Sequence, residues 1–135
     1  MKTFTSIRIL AEEACPIATK DLGNNLKHRQ IAIDKYTYGP ANPEKPGDFW
    51  SRISDIWGID DKEAQTMRCG NCSAFNVSDS MRKCISDGIN DGDKDGMAVI
   101  EKADLGYCEL LHFKCAGTRT CSLWLTGGPL DNKDL

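Results

Sequence analysis

The chain has 135 residues, 40% of them hydrophobic and 27% charged, which suits one domain with one modest core and argues against two. Seventeen Lys and Arg against twenty Asp and Glu give a net charge of −3, with no basic block able to follow a phosphate backbone, so direct nucleic-acid binding is disfavoured. No stretch approaches the ~18 apolar residues of a membrane span, and "MKTFTSIRILAEEACPIATK" has neither the unbroken apolar run nor the cleavage site of a secretion signal. A soluble, cytoplasmic chain with no membrane partner is expected.

In chain order, residues 5 to 31 carry apolar positions at irregular helical spacing with Pro16 interrupting, which predicts two short helices. "YTYGPANPEKPG", residues 36 to 47, is a turn-rich connector. Asp48 is placed to cap a helix in which Phe49, Trp50, Ile53 and Trp57 share one face. "DDKEAQTMR" starts another helix, with acids in its first turn, and leads into Cys69. A polar stretch with Cys84 follows, and "SDGINDGDKDG", residues 86 to 96, reads as a solvated loop. "MAVIEKADLGYC" predicts a helical turn ending near Gly106, and the richest concentration of Cys and aromatics lies beyond it. The expected organisation is a single globular domain, with a helical extension and Pro-rich connector over 1–60 and a cysteine-rich region over 61–130.

Six of the seven cysteines lie between 69 and 121, and only Cys69 and Cys72 form a CxxC. Structural disulfides poorly explain so many cysteines in a reducing compartment, and an odd number cannot all pair, so metal binding leads. A zinc ribbon normally shows a second close pair, which is missing here. A thioredoxin-like pair follows a strand, whereas the lead-in to Cys69 reads helical and polar. Unliganded core cysteines are a further alternative. An iron–sulfur cube needs four converging thiolates, amides near sulfur and exclusion of water. Gly70, Gly106 and Gly117 would let backbone approach such a group, and Phe75, Tyr107, Phe113 and Trp124 stand beside the same cysteines as its wall.

"CGNCSAFN", "LGYCELLHF" and "TRTCSLW" together resemble the cluster-binding half of high-potential iron–sulfur proteins. In that family a CxxC followed by an aromatic precedes a Gly-x-Cys-x-Leu-aromatic stretch, and the last ligand sits in Cys-Ser-x-aromatic. The resemblance implies a [4Fe-4S] cluster on Cys69, Cys72, Cys108 and Cys121, in a small, loop-rich α+β metal-cluster domain with short helices and an N-terminal helical extension. It also implies an electron carrier rather than an enzyme, working with an unnamed redox partner protein. Thirty-five residues separate Cys72 from Cys108, so 76–104 would be an inserted surface loop, a modest entropic cost. Cys84 and Cys115 fall outside the family pattern as rival ligands, Cys84 the more serious rival to Cys108. The whole chain is also similar to uncharacterised proteins of marine tailed phages, which leaves a second class open: a phage structural or interaction protein, acting in the infected host cell, whose fold is stapled by an iron–sulfur cluster or Zn.

Asp91, Asp93, Asp95 and Gly96 open like a calcium loop, but Glu101 falls at the eleventh position and Lys102 at the twelfth, where a carboxylate is required. His28 is expected on an exposed helix and His112 as a partly buried aromatic near the cluster. No Ser/His/Asp arrangement, P-loop or dinucleotide fingerprint is present, so a hydrolase or nucleotide enzyme has no support.

Overall fold

The computed structural model describes residues 15–90 and 95–134. Part of the expected N-terminal helical stretch and of the calcium-like loop lies outside them. Among the described residues six helices surround one three-stranded antiparallel sheet of order β1-β2-β3, a small mixed α+β fold. None of these helices is long and apolar enough to cross a membrane.

Helix α1 (Ile17–Lys20) begins after Pro16, whose φ of −53° suits a helix start. Asp21 then caps α2 (Leu22–Tyr36) by accepting the Asn24 N–H at 2.9 Å. Helix α2 runs into the first residue of the expected connector, Tyr36; beyond it the connector holds no helix and only an isolated bridge from Gly39 to Thr120. In α3 (Phe49–Trp57) the side chains of Phe49, Trp50 and Ile53 are buried together, and Ala64 of α4 (Asp61–Ala64) completes that small core. Asp48 occupies the N-cap of α3 without capping it: its carboxylate turns to Arg52 at 3.3 Å instead of to a backbone amide. Asp60 does cap α4, accepting from Glu63 N–H at 2.7 Å.

The largest departure from expectation lies within residues 76–104, whose described part is not a surface loop. Helix α5 (Asp79–Ile89) and helix α6 (Gly96–Ala103) pack on each other and bury Met81, Ile85 and Ile100. Their glycines read as turn signals but are points of close approach. A side chain at Gly88 would strike the backbone of Thr19, and one at Gly96 would strike Ser86.

Strands β1 (Phe75–Asn76), β2 (Leu105–Cys108) and β3 (Phe113–Ala116) position the cysteine-rich region. In the β2–β3 hairpin Gly106 faces Cys115 and Cys108 faces Phe113. Side chains alternate across a strand, so Cys108, Phe113 and Cys115 share one face while Leu105 and Tyr107 go to the other. The first face joins a core with Tyr38, Cys69, Cys72 and Phe75, and the second joins the core of α5 and α6. Tyr107 therefore lies away from the cysteines it adjoins in sequence. Cys15 and Cys84 form a disulfide within the α5–α6 core, with a Cα–Cα distance of 5.5 Å. Structural disulfides, expected to explain the cysteines poorly, do account for this pair, and Cys84 is no longer a rival ligand.

Candidate functional site

The remaining five cysteines are free thiols, and all five belong to one core: Cys69, Cys72 and Cys115 buried, Cys108 and Cys121 packed against them. They arrive on four pieces of chain. Cys69 opens a 3-10 turn (Cys69–Asn71), held by its N–H to Arg119 C=O at 2.6 Å and by Gly70 N–H to Gly117 C=O at 3.0 Å. Cys72 closes that turn with its N–H on Cys69 C=O at 2.9 Å. Cys108 ends β2, and Cys115 sits in β3. Cys121 follows Thr120, whose backbone exchanges hydrogen bonds with Gly39 at 2.8 and 3.0 Å.

Two side chains tie these pieces together. Trp124 donates its indole N–H to Arg68 C=O at 3.0 Å and to Asn71 Oδ1 at 2.8 Å, clasping the last loop to the CxxC turn. Arg68 donates to Thr118 C=O at 2.9 Å and stacks over Trp50 at 4.8 Å, which anchors the turn to α3. The glycines have roles other than those expected. Gly70 and Gly117 meet back to back, and Gly106 leaves room for the Phe75 ring, where a Cβ would come within 2.6 Å.

Backbone amides point at sulfur. Cys72 Sγ accepts from Leu125 N–H at 3.4 Å and from Ala74, Cys108 Sγ from Leu111 N–H at 3.3 Å and from Leu110, and Cys121 Sγ from Leu123. The Cys115 thiol lies within hydrogen-bond reach of both Cys69 and Cys108. That thiol, followed by the two leucine amides, holds Cys108 down at about 7. Burial pushes three thiols up: Cys72 above its ordinary range, Cys121 to about 12, and fully enclosed Cys115 well above the ordinary thiol value. Cys115 is thus a thiol that donates, and Cys108 the sulfur best able to carry negative charge.

Phe75 and Phe113, each at most 2% exposed, and the partly buried Trp124 wall the sulfurs, as the sequence suggested for them. Tyr38 is an unforeseen member. Its ring stacks edge-on against Phe113 at 4.9 Å, its hydroxyl accepts the Ala116 N–H at 3.1 Å, and burial raises its pKa, assisted by Cys115 and Cys69. Of the expected site residues, Cys69, Cys72, Cys108 and Cys121 are brought together, and Cys115 joins them. The available signal for Cys115 was the alternation in "HFKCA", which sets it on the face of Phe113. His112 is exposed rather than partly buried, with φ +59°. Its carbonyl accepts from His28 Nδ1 at 2.7 Å. Asp95 spends its carboxylate capping α6, accepting Met97 N–H at 3.1 Å.

Among the described residues no three His, Cys, Asp or Glu side chains form a group placed to hold a single metal ion. Comparison with protein-family models, curated proteins and solved structures gives no match. The resemblance to high-potential iron–sulfur proteins therefore rests on the cysteine motifs alone.

Proposed function

We propose that the protein is an electron carrier holding one [4Fe-4S] cluster through Cys69, Cys72, Cys108 and Cys121. The observation that carries this reading is the meeting of these four thiols in one apolar core where backbone N–H groups point at sulfur. Amides aimed at sulfur favour the thiolate, the form that ligates iron. The residues present suit the group: four cysteines, amide donors on three of them, and an aromatic wall. When bound, the cluster supplies a one-electron couple.

The chain does the rest. Phe75, Phe113 and Trp124 exclude water, and the amides on Cys72, Cys108 and Cys121 raise the potential by stabilising negative charge on sulfur. Cys115 has no place in the ligand set. Buried and protonated, it donates to Cys108 and acts in the same sense as the amides. Four protein thiolates leave no open position for a substrate, so the partner is another redox protein. Zinc on the same thiols is the alternative, and a colourless protein containing zinc in place of iron and sulfide identifies it.

A second reading is favoured by the site's position inside the core: the cluster staples the fold, and its binding supplies folding free energy. The test is anaerobic purification, with iron and acid-labile sulfide measured against protein and visible absorption followed through reduction and reoxidation. Four iron and four sulfide per chain, cycling without loss of structure, is the expected result. Serine at Cys69, Cys72, Cys108 or Cys121 lowers that content, and serine at Cys15, Cys84 or Cys115 leaves it intact. Unfolding on each change of state identifies the staple, and correctly folded protein free of iron and sulfide ends both cluster readings.

A further inference from the structure

Beside the outer edge of β3, helix α2, the end of α5 and the β2–β3 hairpin enclose a cavity of about 320 Å³. That lies at the lower end of the range for small-molecule sites. Leu26, Ile89 and Leu105 give it apolar walls, and among the described residues its charged lining residues are Arg29, Lys114 and Arg119, with no carboxylate.

The three cations line this one cavity together. Among the described residues none of them takes part in an ion pair, whereas Arg52, Arg82 and Lys83 each do. Arg119 is the most constrained. Its guanidinium lies 5.8 Å over the Tyr38 ring and donates one N–H to Ala41 C=O at 3.2 Å, while Nε is shut from water with no partner. Arg29 lies over the same ring at 6.0 Å. A buried, unpartnered N–H leaves the Arg119 charge poorly compensated inside the fold, and an anion in the cavity that this side chain lines offsets that charge. Lys114 is half-buried, and that burial pushes its pKa down, so it too is a cation stripped of part of its water.

We infer that this cavity binds a small organic phosphate, its dianionic headgroup paired with Arg29, Lys114 and Arg119 and its apolar body against Leu26, Ile89 and Leu105. Three cations suit a dianion better than a monoanion. The planar guanidinium fork also matches phosphate oxygens, and its donors are already fixed by stacking on Tyr38. The inference does not rest on a bound cluster, because every group it uses lies outside the five thiols.

Isothermal titration calorimetry on the full chain tests it, with 1-naphthyl phosphate as probe and 1-naphthoate, 1-naphthol and inorganic phosphate as comparisons. Saturable one-to-one binding of naphthyl phosphate is expected, at least about tenfold tighter than naphthoate or inorganic phosphate, with no heat from naphthol. Lys114→Gln weakens it by about tenfold or more, and Lys62→Gln, on the exposed side of α4, leaves it unchanged. Arg119→Gln acts in the same direction, but Arg119 also braces Tyr38, so the less enclosed Lys114 decides the matter if that variant misfolds. Absent binding, equal binding of naphthol, or an unchanged affinity in a folded Lys114→Gln protein overturns the site. Equal binding of naphthoate overturns the choice of phosphate, and equal binding of inorganic phosphate overturns the role of the apolar walls.

Discussion

On one face of the β2–β3 hairpin, Cys108 and Cys115 meet three more thiols that stay unpaired; on the other, Leu105 and Tyr107 pack against helices whose cysteine is locked to Cys15. Two cores a strand's thickness apart use one residue type in opposite ways. Where a disulfide joins positions 69 residues apart, sulfur acts on the unfolded chain, by restricting it. Where the Cys115 thiol and two loop amides reach Cys108, sulfur is prepared to carry charge in the folded one. The contrast teaches that cysteine content alone does not report function. What surrounds each sulfur does.

The comparison breaks most visibly at the shared wall. Phe113→Ala removes a ring that is 1% exposed and stacked on Tyr38, and is expected to cost about 3–5 kcal/mol in urea unfolding. A loss below about 1 kcal/mol would mean that the thiol core tolerates a cavity and is not the packed unit described. On the other face, replacing both Cys15 and Cys84 by Ser is expected to cost about 2–4 kcal/mol while leaving the number of free thiols at five. Loss of iron and sulfide in that variant would show that the two cores are not separable.

The smallest effect is a pH dependence of the metal-free protein. Folding lowers Cys108 from 9.0 to about 7, so between those values the unfolded chain holds a proton that the folded chain has released, and stability rises with pH. Above roughly pH 9 the sign reverses. The unfolded chain ionises Cys72, Cys115 and Cys121, which burial keeps as thiols in the fold. Urea midpoints measured from pH 6 to 10 should therefore pass through a maximum, and Cys115→Ala should flatten the rising limb, because the donor that lowers Cys108 is then removed. A rising limb unaltered by that change would remove Cys115 from its role.

Some of this was legible in residues alone. The aromatic face of α3 follows from its spacing and the connector from three prolines. The α5–α6 pair was not legible. Gly88, Gly96 and the aspartates around them carry a loop's composition, and only the nearness of Thr19 and Ser86 turns those glycines into contact points between helices. Asp48 shows the converse, a good capping residue whose carboxylate goes to Arg52.

Sequence by itself determined the class of fold, the runs that become helices α2 and α3, and the local pattern around each cysteine, because propensity, capping and periodicity act within a few neighbouring residues. Tertiary structure alone decided which sulfurs pair, that Cys115 joins the other four, and that Arg29, Lys114 and Arg119 surround one cavity. Those outcomes depend on distances between segments far apart along the chain, which are fixed only when the whole core packs.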